Sequence, residues 1–145
     1  MFDKFGEFDS IEELNMAAEE QIQQGNRESL IALAKENGID KYSAEAYWNK
    51  ETNELIDYFS GAIGKLSIEK DNLKSMMPVA PIVDYLSSLC MDEAFARIVR
   101  SKAKNLKACI EYTEKKCKEE CDRTKAQYVA DMTVFEWSKE YYMEG

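Results

Sequence analysis

Asp92–Glu120, DEAFARIVRSKAKNLKACIEYTEKKCKEE, is the stretch whose reading decides the fold. Phe95, Ile98 and Val99 share one helical face. From Asn105 the small or apolar residues Leu106, Cys109, Ile110, Thr113, Cys117 and Cys121 recur at steps of three and four, the period of a second helix. Arg97, Arg100, Lys102, Lys104 and Lys107 fall outside the first stripe or between the two, and residues 97–107 contain no acid. The segment therefore predicts two amphipathic helices meeting at a cationic junction, with something anionic, internal or external, facing it.

The same period extends in both directions. Upstream, Pro81 suits the first turn of a helix, where a missing N–H costs nothing, and Ile82, Leu86 and Leu89 give that helix an inner face. Asp92 and Glu93 favour the start of the next. Downstream, Val134, Trp137 and Tyr141 form a stripe on a last helix, to be capped by Asp131 or by the Thr133/Glu136 pair. In the first half, Ser10 and Glu13 have the spacing of a capping box ahead of Ile11, Leu14, Ala18 and Ile22. Gly25 stops that helix, Asn26 caps one carrying Leu30, Ile31 and Ala34, and Gly38 stops it in turn. Asp40 or Ser43 opens a third helix with Tyr47 and Trp48. A fourth presents Leu55, Ile56, Phe59, Ala62, Ile63 and Leu66, and its Gly61 and Gly64 predict close approach of a neighbour. Phe2, Phe5 and Phe8 read as an arm docking on the core, and Trp48, Trp137, Tyr141 and Tyr142 as core aromatics.

No strand-like alternation of useful length occurs. The prediction is an all-α, compact bundle of six or seven short helices without significant sheet. Residues 1–66 form an acidic helical region, 67–78 a connector and 79–145 a C-terminal helical region, or the whole is one domain.

The chain has 145 residues and a net charge of −9. Residues 1–60 hold 14 acids against 5 bases, whereas 61–145 hold 14 of each, so the excess negative charge lies entirely in the first part. Ser75–Val83, the longest nearly uncharged run, is interrupted by Pro78 and Pro81 and is far shorter than the ~20 apolar residues of a membrane span. The acidic start is unlike a secretory signal, and the four cysteines do not resemble a disulfide scaffold, so a cytoplasmic protein is expected. Histidine is absent, which removes the commonest general base and metal ligand and weighs against an enzyme. Cys117 and Cys121 stand one turn apart and would reach one ion, but without a C-x-x-C pair or histidine the expectation is a buried stripe of thiols and no metal or cofactor.

Two surfaces are candidates for binding a partner. One is an acidic face of Glu7, Asp9, Glu12, Glu13, Glu19 and Glu20. The other is the basic set Arg97, Arg100, Lys102, Lys104 and Lys107, which would contact a partner or nucleic-acid phosphates, or pair with the acids of the same chain.

Lys104–Tyr112, KNLKACIEY, followed by Val129–Glu144, VADMTVFEWSKEYYME, resembles the PcfK-like proteins of conjugative plasmids and other mobile elements. The opening MFDKFGEFDSIEELN and Ser29–Asp40, SLIALAKENGID, resemble a branch of that family found in gut Firmicutes. The pattern departs at Met132, where many relatives carry a second acid after Asp131. The resemblance implies an anti-CRISPR protein whose partner is the type II RNA-guided nuclease with its guide RNA. Such a nuclease holds nucleic acid in positively charged channels, so the acidic face would act as a DNA mimic. The alternative is a nucleic-acid-associated accessory protein of conjugation without nuclease inhibition.

Overall fold

The computed structural model describes residues 2, 4–75 and 77–144; Asp3, one of the early acids, lies outside them. Eight helices form among the described residues, and none of those residues is in a strand. They are α1 (Ile11–Gln23), α2 (Arg27–Glu36), α3 (Lys41–Trp48), α4 (Tyr58–Asp71), α5 (Val79–Leu89), α6 (Glu93–Arg100), α7 (Leu106–Thr124) and α8 (Asp131–Met143). The expectation of six or seven is corrected to eight. The eight correspond to the eight segments the apolar period picks out one by one, because the short α3 and α6 keep the separate starts expected at Asp40 and Asp92, whose side chains accept first-turn backbone N–H groups.

Most starts are those the sequence predicts. Ser10 Oγ accepts from the Glu13 N–H at 3.1 Å, but the Glu13 carboxylate reaches back to the N–H of Asp9 at 2.8 Å, one residue earlier than a standard capping box. Asn26 and Asn105 cap α2 and α7. The cap of α8 is different from either alternative predicted: Ala130 is the N-cap and makes no side-chain bond. Asp131 is instead the first helical residue, where its charge meets the positive end of the helix dipole.

Two further boundaries move. Leu55 and Ile56 precede α4 instead of lying in it, and both are buried. Their N–H groups donate to Asn15 Oδ1 at 3.0 and 3.2 Å, while Asn15 Nδ2 donates to the Ile56 carbonyl at 3.0 Å. One amide side chain thus satisfies three backbone groups of a buried segment that lies outside any helix. At its other end α4 continues to Asp71, so the first residues of the expected connector 67–78 are helical. Glu69 accounts for this: its carboxylate is buried and accepts the Leu106 N–H at 3.1 Å, which holds the last turn of α4 against the start of α7.

The apolar residues gather in two clusters. Ile11, Leu14, Leu30, Leu33, Ile39 and Leu55 lead the first, with Phe5 and Phe8 packed on its edge. Leu66, Ile82, Leu86, Phe95, Val99 and Ile110 lead the second, built from α4 to α8. Where α2 ends against α4 the backbones nearly touch: a Cβ added at Gly64 would lie 2.6 Å from the Asn37 carbonyl oxygen. That is the close approach the glycines predicted.

Tyr142 is buried, its ring 5.9 Å from Phe95 and 5.0 Å from Tyr141 in edge-on arrangements. Trp48 and Trp137 are only half-buried. The cysteine stripe is likewise buried only in part. Cys109 is enclosed, and burial pushes its thiol, like that of Cys90, up to about 12. Cys117 and Cys121 are half-buried, because α7, about 28 Å long at 1.5 Å per residue, outruns the layer that covers its first two turns.

Candidate functional site

The turn from α6 to α7 carries the predicted basic segment, and it lies against the N-terminal arm and α4. At its centre is a side chain the sequence reading missed, Lys65, which is 1% exposed. Its ammonium sits 3.0 Å from Glu7 Oε1 and donates to the carbonyls of Ser101 and, at 2.8 Å, Lys104. Three acceptors match the three N–H donors of an ammonium. Burial pulls the Lys65 pKa below its ordinary value, with Glu69 and Glu7 opposing the shift. Burial raises the Glu69 carboxyl, against the pull of Lys65 and of the Leu106 N–H.

Arg100 is the second buried cation. Its Nη2 donates to Asn37 Oδ1 at 3.2 Å, and its guanidinium lies 6.0 Å from the Phe2 ring centroid. Among the described residues, Arg100 Nε and Nη1 and Glu69 Oε1 have no hydrogen-bond partner. Burial depresses the guanidinium from its usual range, with Glu7 and Glu69 the leading counterweights. Arginine nevertheless keeps its proton in proteins.

The remaining basic residues divide. Arg97 Nη1 reaches Glu12 at 2.7 Å and Nε reaches Glu93 at 3.3 Å. The bond from Arg97 holds the Glu12 carboxyl below its usual range. Lys102 uses its backbone, donating its N–H to Asp9 Oδ1 at 2.8 Å, and its side chain is exposed. Lys104 turns the other way: its Nζ donates to the carbonyls of Tyr141, at 2.8 Å, and Glu144, and lies 4.6 Å from the Tyr141 ring centroid. Lys107 is exposed on α7.

The predicted acidic face therefore splits into two parts. Glu7, Asp9 and Glu12 turn toward the basic segment, and Glu13 braces the arm at Asp9. Glu19 and Glu20 remain exposed on the outer side of α1, where with Met16 and Gln23 they line a shallow depression of about 140 Å³. Met16 is 65% exposed. Pairing with the chain's own acids is seen for the Arg97 side chain, with Glu12 and Glu93, and for the Lys102 backbone, with Asp9; Arg100 meets the Asn37 amide and Lys104 backbone carbonyls instead.

A signal for the missed residues existed. Gly61, Lys65 and Glu69 follow one another at steps of four beside Ala62 and Leu66, which places both charges on the buried side of α4. Asn37, at the end of α2, showed no comparable pattern.

These features define an all-helical protein in which Lys65, Arg97 and Lys104 are held by its own acids and carbonyls and whose α1 faces outward with negative charge. Among the described residues, no three Cys, Asp or Glu side chains are grouped to hold a metal ion, and no helix is long and apolar enough to cross a membrane. Residues 77–145, the part containing α5 to α8, match the family model described as PcfK-like protein. No curated protein and no solved structure matches the chain.

Proposed function

We propose that the protein is an anti-CRISPR protein acting by binding and not by catalysis, in the cytoplasm of a bacterial cell. It occupies a basic, nucleic-acid-handling surface of a type II RNA-guided nuclease loaded with its guide and so prevents DNA cleavage. The observation that carries this reading is the direction of the charge. Arg97 and Arg100 are engaged within the chain, the net charge is −9, and Glu19 and Glu20 on α1 point to solvent beside exposed Met16. Such a molecule repels free nucleic acid and is attracted to the channels that hold it. The PcfK-like match supports the reading, because the family resemblance implies inhibitors of this nuclease among its members.

The test is plasmid cleavage by a purified nuclease and guide, with the protein added before or after target DNA. Competition predicts inhibition when it is added first, weakened by salt and lost on Glu19→Lys with Glu20→Lys. Inhibition that survives prior DNA binding would replace mimicry with a blocked conformational step. No inhibition across several nuclease orthologues would reject the proposal.

The exposed ammonium groups of Lys102 and Lys107 favour a second reading, an accessory protein of plasmid conjugation that contacts nucleic acid directly. It requires binding to free DNA or RNA, with a salt slope that falls when those two lysines are neutralised.

A further inference from the structure

Beyond Thr113 the helix α7 leaves the core, and its last turns form one side of a groove of about 580 Å³. Cys117 and Cys121 both line this groove, opposite apolar walls that include Pro81, Ile82, Val134 and Phe135. Residues four apart on a helix have Cβ atoms roughly 5–6 Å apart. One metal ion bound by two thiolates through bonds of about 2.3 Å holds its sulfurs no more than about 4.6 Å apart, within reach of two such side chains. A tetrahedral ion would need two further ligands, and among the described residues no third Cys, Asp or Glu joins the pair in a metal-holding group. The arrangement suits a soft ion content with two ligands.

We propose that Cys117 and Cys121 form a two-coordinate Cu(I) site, covered on one side by the apolar wall of the α7–α8 groove. Thiolate sulfur suits Cu(I), zinc and iron–sulfur clusters, and since the latter two take tetrahedral sites, Cu(I) is the one that fits a pair of thiolates. Binding converts two thiols and one Cu(I) into a bis-thiolate complex of net charge −1, with both protons released to solvent and no change in oxidation state. Lys118, on the rim of the same groove, supplies a compensating positive charge. Burial, and then the neighbouring Cys121, raise the Cys117 thiol. The site is remote in sequence from the α1 face and independent of nuclease inhibition.

The experiment is an anaerobic titration of the full reduced chain with Cu(I) in competition with the chelator bicinchoninate. The expected result is one Cu(I) captured per chain, two sulfur neighbours by X-ray absorption, and loss of affinity by more than about 100-fold in Cys117→Ser and in Cys121→Ser. That loss is larger than removal of an outer-shell partner causes. Should either serine variant lose its helical circular dichroism, alkylation of the unaltered chain decides, since Cu(I) must protect Cys117 and Cys121 together. The proposal is overturned by no capture against the chelator, by copper bridging two chains, by affinity unchanged in folded serine variants, or by alkylation of the two thiols undiminished by Cu(I).

Discussion

Lys65→Met is the most informative single change. Methionine keeps the length of the side chain while removing its charge, leaving Glu7 and the carbonyls of Ser101 and Lys104 without their donor. It also leaves buried Glu69 without its nearest opposing charge. Removing one partner of a buried ion pair costs about 3–5 kcal/mol. Glu7 is about one-third exposed and gains water in compensation, so the lower end, about 3 kcal/mol, applies here. With a urea m-value of about 2 kcal/mol/M, the unfolding midpoint drops by about 1.5 M. Adding Glu69→Gln removes the stranded carboxylate while keeping an acceptor for the Leu106 N–H, and should restore about 1 kcal/mol through coupling of neighbours. The reasoning fails if Lys65→Met costs under about 1 kcal/mol, or if the two changes add within about 0.5 kcal/mol.

Glycine substitutions in α4 should separate by site. Gly64→Ala drives a methyl group into the backbone at Asn37 and Gly38 and should cost about 1–3 kcal/mol in urea unfolding. Gly61→Ala meets side chain and no backbone, chiefly the end of Ile11, which can turn aside, and the helix propensity gained, up to about 1 kcal/mol, should leave it nearly neutral. Glu69→Gln tests the pH dependence. The folded pKa of Glu69 lies above its unfolded value, so its contribution is present below the unfolded pKa and lost as pH rises through the folded one. The variant should show a flatter midpoint–pH profile over that weakly acid window, and superimposable profiles would contradict the assignment. Asp40→Ala should cost about 1 kcal/mol at neutral pH. The penalty should shrink in acid, because the Ser43 N–H bond that lowers the Asp40 pKa is lost as the carboxyl protonates. Finally, a thiol reagent should label Cys117 and Cys121 in the native protein and reach Cys90 and Cys109 only on unfolding, as mass spectrometry of the labelled peptides can show.

The fold was legible where a local signal is its own cause. Ser10, Asn26, Asp40 and Asp92 satisfy N–H groups two or three residues away, and spacing alone reports such bonds. The cores of α1, α2, α5 and α6 likewise follow from the period of their apolar residues. The errors fall where the partner is distant. Asn15 holds Leu55 and Ile56 across some forty residues of sequence, and Glu69 extends α4 by binding the start of α7. At the candidate site, sign and concentration of charge were visible, and the mutual pairing of Arg97 with Glu12 was among the options. Which acids stayed outward was not visible, because Glu12 and Glu19 lie on one helix and differ only in what packs beside them. Lys65 escaped notice because a lysine in an otherwise apolar stripe resembles a surface residue until its three acceptors are seen.

The second apolar cluster has a bearing on how this chain is divided. The family match begins at residue 77, yet Ala62 and Leu66 from α4 lie in the same core as Leu86, Val99 and Ile110. Lys65, on the same helix, ties the carbonyls that link α6 to α7. The unit that sequence comparison delineates is thus smaller than the unit that closes its own interior. A fragment starting at 77 would present an open apolar seam along α5 and α6, and any relative sharing only this half must fill that seam with a helix of its own.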